Sequence, residues 1–135
     1  MNISSKTIAE YFERYAWKYA VTEDPDTLLS GFVDSQEHNY GVVVSVKDKY
    51  VTFTTPYKQL PDDQNLSSLY LQKLMSLNYE WPLVKLSLDK EDRTLMISLE
   101  FYQESFDYKQ FQLGLDLLTE ATELLLSELP SITPA

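Results

Sequence analysis

The fold is decided by one stretch of the chain, Leu66–Tyr102, which reads LSSLYLQKLMSLNYEWPLVKLSLDKEDRTLMISLEFY. Its first part places leucines at helical spacing, and its second part alternates apolar and polar residues on both sides of the acidic turn 89–93. Pro82 separates the two parts, because proline cannot continue a helix interior. We therefore predict a helix that feeds a two-strand hairpin, with the rest of the chain packed against that unit.

The helix of this stretch, predicted over about residues 65–77, is apolar over most of its circumference. Its apolar side chains are Leu66, Leu69, Tyr70, Leu71, Leu74, Met75 and Leu77. These seven side chains are too many for a single apolar stripe. The helix is therefore expected to bury one face on its own sheet and a second face elsewhere. Either a second copy of the chain covers the second face, or the segment 56–64 or the first helix folds over it.

A homodimer is the preferred interpretation, because soluble monomers rarely keep a contiguous apolar patch in water. Two-fold pairing is also the commonest closure for identical chains. The residues predicted to form this protein interface are Leu66, Tyr70, Leu71, Met75 and Trp81.

The remaining elements follow from the same patterns. Thr7 and Glu10 have the spacing of a capping box for a first helix, and Asp107 with Gln110 has the same spacing for the last one. The segment 56–64 contains Pro56 and Pro61 and is predicted to lack regular structure. The predicted helices cover about 5–20, 65–77 and 107–129, and the predicted strands cover 27–33, 40–46, 50–55, 83–88 and 94–102.

The core is predicted to lie between the sheet and the helices. The positions expected to be buried there are Leu86, Ile97, Leu99, Leu115 and Leu118. Gly114 lies inside the last helix, where glycine costs about 1 kcal/mol relative to alanine. It is therefore expected to mark a close packing contact.

The predicted fold is an α+β single domain over residues 1–135, with a frayed tail at 131–135. The element order is α-β-β-β-α-β-β-α, and the five strands form one antiparallel sheet with the helices packed mainly on one face. The sequence has no internal repeat, low-complexity tract or linker.

One run, Leu71–Tyr102, resembles the YbjN family. The resemblance is carried by Leu77-Asn78-Tyr79 at the end of the second helix, by the proline just after it, and by the strand–acidic turn–strand unit before a long leucine-rich helix. That family is similar in fold and element order to the small chaperones of type III secretion. The resemblance implies an α+β protein, often dimeric, that binds another protein and performs no chemistry, and it carries over no functional residue.

The chain has 21 acidic and 11 basic residues and a formal net charge of −10. Such a field repels phosphate backbones and anionic lipid headgroups, so nucleic acid and membranes are not expected as partners, whereas a cationic protein segment would be attracted. There is no cysteine, which excludes disulfides and thiolate catalysis. The N-terminus lacks a signal-peptide pattern, and no stretch is apolar enough to span a membrane, so a cytoplasmic protein is expected.

No group of residues indicates a catalytic, cofactor or metal site. His38, the only histidine, lies in a polar loop and is interpreted as solvated surface. The pair Asp62 and Asp63 precedes a helix and is better explained by capping than by cation binding. The three glycines are far apart, which excludes a phosphate-cradling loop.

We therefore predict a non-catalytic protein-binding module, chaperone-like or regulatory, that acts as a homodimer. The alternative is a small-ligand-binding protein or an enzyme with a pocket between the helices and the sheet, and it would need convergent polar groups there.

Overall fold

The structure is a computed structural model that describes residues 3–129. The predicted frayed tail at 131–135 lies outside the described residues. In chain order the elements are α1 (Ser5–Tyr15), β1 (Ala20–Val21), β2 (Thr27–Val33), β3 (Asn39–Lys47), β4 (Tyr50–Gln59), α2 (Gln64–Glu80), β5 (Lys85–Asp89), β6 (Thr94–Tyr102), a 3-10 turn (Gln103–Ser105) and α3 (Tyr108–Glu128).

The strands form one antiparallel sheet in the order β1-β2-β3-β4-β6-β5. The predicted α+β class and antiparallel sheet are confirmed, but the prediction of five strands was wrong because the described residues contain six. The extra strand is β1, whose Ala20 and Val21 pair with Leu29 and Leu28 of β2. A strand of two residues is too short to show an alternating pattern in the sequence.

Helix α1 is shorter than predicted, since it ends at Tyr15 rather than near residue 20. Ala16 adopts a left-handed conformation with φ of 66°, and the Trp17 amide donates a hydrogen bond to the Phe12 carbonyl. This arrangement is a Schellman ending, which usually has glycine at the left-handed position. The predicted Thr7 cap was also wrong, because Ser4 is the N-cap and makes no side-chain capping bond.

Strand β4 continues through Pro56 to Gln59, where the sequence predicted irregular structure. The pairing with β6 shifts register between Pro56 and Lys58, which identifies a β-bulge. Proline lacks an amide hydrogen and is tolerated in a sheet at such irregular positions. Tyr57, the extra residue at the bulge, is buried.

All three helices contribute to one hydrophobic cluster on a single face of the sheet. The five predicted core residues, Leu86, Ile97, Leu99, Leu115 and Leu118, are all buried there. Helix α3 lies over β4 and β6, α1 lies over β2, and α2 lies over β5. Gly114 of α3 confirms the predicted close contact, because a Cβ atom there would lie 2.9 Å from the Phe53 ring.

Candidate protein-binding surface

Helix α2 begins at a capped N-terminus beside the edge of the sheet. The Asp63 carboxylate accepts a hydrogen bond of 2.9 Å from the Leu66 amide, so the predicted capping role of this acidic pair is confirmed for Asp63. The helix then crosses β5, and its buried face consists of Ser67, Tyr70, Leu74 and Leu77.

The end of α2 is tied to β5 by one side chain. The Asn78 amide nitrogen donates to the Leu86 carbonyl at 2.8 Å, and the Leu86 amide donates to the Asn78 side-chain oxygen at 2.6 Å. The carboxamide thus pairs with Leu86 as a neighbouring strand would. This double contact is the structural role of the Leu77-Asn78-Tyr79 motif, and it fixes which face of α2 points away from the sheet.

That outer face carries three large side chains in one row, which we call the α2 outer stripe: Leu71, Met75 and Tyr79. They are spaced four residues apart, so they are neighbours on the helix surface. Met75 is 74% exposed and Tyr79 is 93% exposed, while Leu71 is exposed to a smaller degree. Exposed apolar side chains in a continuous row are typical of an interaction surface.

The predicted interface residues are only partly brought together. Leu71 and Met75 lie on the α2 outer stripe, and Leu66 and Trp81 are half-buried and packed against the core. Tyr70 is fully buried within the chain, so its placement on an interface was wrong. Its position follows from the helix geometry, because Tyr70, Leu74 and Leu77 share the face that α2 turns toward the sheet.

Two exposed apolar residues at and just after the end of α2 were not expected from the sequence. Tyr79 lies beyond the predicted helix end at about residue 77, whereas α2 continues to Glu80 and so brings Tyr79 one turn after Met75. Leu83 lies just after α2 and is largely exposed, with a left-handed backbone at φ of 67°. A leucine held in that conformation costs on the order of 1 kcal/mol, and such strain clusters at functional surfaces.

The charged groups of α2 lie beside the stripe rather than on it. Lys73 forms an ion pair of 2.7 Å with Glu128 at the end of α3, and the hydrogen bond to that carboxylate raises the pKa of Lys73. The stripe itself is uncharged, which allows it to be buried against a partner without the cost of desolvating an ion.

His38 lies in the loop between β2 and β3 beside the buried carboxylate of Asp34. That carboxylate accepts hydrogen bonds from the His38 and Gln36 amides, the Tyr40 hydroxyl and the His38 ring. Burial raises the pKa of Asp34, but the bonds to it outweigh burial and lower the pKa to about 2. Every one of these bonds stays within residues 34–40, so the cluster explains the loop conformation without a substrate.

The other acidic residues considered from the sequence also serve local structure. Asp89 accepts from the Glu91 amide, and Asp92 accepts from the Thr94 amide, within the β5–β6 turn. Among residues 3–129 there is no group of three or more His, Asp or Glu side chains arranged to hold a metal ion. In the same range, no helix is long and apolar enough to cross a membrane.

No protein-family profile matches the chain, and no curated protein matches it in sequence. Its fold, however, is similar to solved chains from three protein complexes. A chain of the ExsC–ExsE complex is similar with a TM-score of 0.68 and 14% identity, covering 98% of this chain and 100% of that chain. A chain of the HopA1–SchA chaperone–effector complex is similar with a TM-score of 0.63 and 10% identity, covering 87% and 88%.

A chain of the heterodimeric ExoU–SpcU complex, from the type III secretion system of Pseudomonas aeruginosa, is similar with a TM-score of 0.59 and 16% identity. This similarity covers 90% of this chain and 97% of that chain. The predicted resemblance to secretion chaperones is therefore confirmed at the level of fold. The resemblance to the YbjN family is not confirmed by a family match.

Proposed function

We propose that this protein is a non-catalytic protein-binding module with a chaperone-like or regulatory role, and that it acts as a homodimer. The observation that carries the proposal is the α2 outer stripe of Leu71, Met75 and Tyr79. The fold similarity to chains found in complexes with partner proteins, one of them a chaperone–effector complex, supports the same function.

The stripe supports a second copy of the chain as its occupant. The alternative covers lie elsewhere, because the segment 56–64 forms the end of β4 and the connection into α2, and α1 lies over β2, near the opposite edge of the sheet from β5. Two copies of α2 related by a two-fold axis would bury Leu71, Met75 and Tyr79 against one another. An interface of standard size buries about 1,200–2,000 Å² in total, and Leu66 and Trp81 would lie at its rim.

Catalysis is not the function that the geometry favours. The space between α3 and the sheet is filled by Phe53, Phe111 and Leu115, which are essentially inaccessible. The alternative of a ligand pocket between the helices and the sheet has no specific contact in its favour.

The oligomeric state tests the proposal most directly. Sedimentation equilibrium at micromolar protein should give the mass of a dimer for the unmodified chain. Leu71→Glu and Met75→Glu should shift that mass toward the monomer, because each places a carboxylate in an apolar interface. Leu124→Glu is the matched control, because Leu124 is also an exposed leucine on a helix but lies on α3. It should leave the dimer mass unchanged.

A monomeric mass for the unmodified chain contradicts the dimer, and so does a dimer that survives both α2 variants. The protein-binding role is tested separately by recovering bound proteins from native cytosol and re-measuring each one with purified components. A partner that binds the unmodified chain in a saturable one-to-one or two-to-one ratio supports the role. Turnover in a broad hydrolase screen that disappears in His38→Ala would replace it with an enzymatic function.

A further inference from the structure

The chain between α2 and β5 makes a tight turn whose central residue is Leu83. The Val84 amide donates a hydrogen bond of 2.7 Å to the Pro82 carbonyl, two residues earlier, and Leu83 has a φ of 67°. Together these features define a γ-turn of positive φ, which is the rare and strained form of that turn. Leucine disfavours such a backbone because its Cβ atom approaches the following carbonyl oxygen, whereas glycine adopts it without that contact.

Leu83 differs from the other residues that share this backbone conformation. Five non-glycine residues among positions 3–129 have a positive φ. One of the other four ends α1, and three lie in connections between paired strands, where tight turns commonly use a positive φ; the four are Ala16, Glu37, Asp48 and Arg93. Leu83 is the large apolar residue of the set. Glycine would make the same turn with less strain, so the leucine side chain is expected to have a use.

That use is not the core of the chain itself. Leu83 is 58% exposed, although the next residue, Val84, is buried. The fixed φ of Pro82 and the buried Val84 hold the turn from both sides, so the Leu83 side chain projects from a restrained backbone. Residues 81–84 contain no charged side chain. A restrained, uncharged apolar group loses little entropy and no ion hydration when another molecule covers it.

The α2 outer stripe needs such a neighbour if it is to hold two copies of the chain together. An interface of standard size buries about 800 Å² on each partner. Even a large aromatic side chain buries only about 150–250 Å², so Leu71, Met75 and Tyr79 alone fall short of that area. Leu83 follows Tyr79 by four residues, and their Cα atoms are therefore at most about 14 Å apart. Both side chains fit within one surface of the required size.

We propose that Leu83 belongs to the surface that a second copy of the chain covers, and that its strained γ-turn strengthens association while it lowers the stability of the single chain. The inference rests on the proposed homodimer and adds Leu83 to its interface. A second copy is favoured as the occupant because the area that the stripe lacks has to come from apolar side chains beside it. In a two-fold arrangement each copy contributes its own Leu83, so a change at this position acts twice.

The first measurement is the dissociation constant of the dimer, obtained by sedimentation equilibrium over a range of protein concentrations. Leu83→Gly and Leu83→Asn should each raise this constant about ten- to hundredfold, because both copies lose a buried leucine side chain. Leu83→Met keeps an apolar side chain of similar volume and should stay within about twofold of the unmodified chain.

The second measurement separates association from the stability of the single chain. It is made in the Met75→Glu background, with Leu71→Glu as a second background, because both changes are expected to dissociate the dimer. Leu83→Gly should raise the urea midpoint of unfolding there, since glycine relieves the strained backbone. Glu37→Gly is the matched control, because Glu37 is exposed and has a φ of 65° in the β2–β3 connection. It should also raise the midpoint but leave the dissociation constant of the dimer unchanged.

Weaker association together with a raised urea midpoint supports the inference. An unchanged dissociation constant in both Leu83→Gly and Leu83→Asn overturns it and leaves the α2 dimer standing. A lowered urea midpoint in Leu83→Gly also overturns it, because the leucine would then serve the fold of its own chain. A monomeric mass for the unmodified chain contradicts the proposed dimer itself, and this inference with it.

Discussion

Helices α2 and α3 have similar densities of leucine but bury them in different ways. Helix α3 lies over the central strands β4 and β6, and its buried residues are Phe111, Gly114, Leu115, Leu118, Ala121, Thr122 and Leu125. Helix α2 lies over the edge strand β5, buries four residues, and leaves Met75 and Tyr79 largely in solvent beside the partly exposed Leu71. The position of a helix over its sheet, more than its composition, therefore decides whether a leucine belongs to the core or to a surface for a partner.

The largest expected effect tests the core side of this comparison. Leu118→Ala should lower the free energy of unfolding by about 2–5 kcal/mol, because it opens a cavity under α3 at the centre of the sheet. Urea unfolding with a constant m-value is the measurement. Leu124 lies on the outer face of the same helix and is 45% exposed. Leu124→Ala should therefore change the free energy of unfolding by less than about 0.5 kcal/mol. Similar losses in both variants would show that α3 does not pack as described.

The next effect concerns the attachment of α2. Asn78→Ala should cost about 1–3 kcal/mol, because the partly buried Leu86 amide and carbonyl both lose their partner. Asn78→Asp should recover only part of that loss, since a carboxylate can accept from the Leu86 amide but repels the Leu86 carbonyl. Equal stability of Asn78→Asp and the unmodified chain would contradict the double hydrogen bond.

A pH measurement compares the loop beside α3 with the α2 side of the molecule. The folded-state pKa of Asp34 lies at about 2, below its ordinary value near 3.8. The ionised Asp34 carboxylate therefore stabilises the fold fully above about pH 4, and this contribution is lost as the pH falls toward 2. The loss in the free energy of unfolding is no more than about 2 kcal/mol. Asp34→Asn should flatten this part of the stability profile, whereas Asn78→Ala on the α2 side, which removes no titratable group, should leave its shape unchanged.

If the profile of Asp34→Asn keeps the full slope between pH 4 and pH 2, another carboxylate causes it. Asp24 is the residue to examine next, because its hydrogen bond with Lys47 lowers its pKa to about 2 as well.

The smallest effect tests the close contact in α3. Gly114→Ala gains helix propensity of about 1 kcal/mol but places a methyl group against the buried Phe53 ring, an overpacking that costs about 1–3 kcal/mol. A net loss on the order of 1 kcal/mol is expected in the same urea experiment. Gly114→Ala combined with Phe53→Leu should recover stability relative to Phe53→Leu alone. A stabilised single variant would mean that α3 and β4 are farther apart than described.

Most of the fold was predictable because its elements are long and strongly patterned. β2 and β6 have the predicted limits, and α3 begins as expected at the Asp107 cap, which accepts from the Gln110 amide. The errors occurred where local signals were weak or misleading. Ala16 ends α1 without the usual glycine, and Pro56 lies inside a strand because a bulge accommodates it.

The candidate surface was less predictable than the fold. Helical spacing alone grouped Tyr70 with Leu71, although one points into the core and the other away from it. Which face of α2 turns toward the sheet is fixed by Asn78, whose side chain contacts Leu86 eight positions later in the sequence. The contact between the Gln103 side chain and the Asp48 carbonyl left no signal in the sequence, because the two residues are 55 positions apart.

The Asn78 contact also has a consequence for association between copies of the chain. β5 is an edge strand, and an edge with free amides and carbonyls is a template for pairing with strands of other molecules. By occupying the amide and the carbonyl of Leu86, the Asn78 carboxamide interrupts that template at the second residue of the five-residue strand. Edge-to-edge pairing of strands at β5 would first have to break this contact, so open-ended strand stacking is disfavoured at this edge of the sheet.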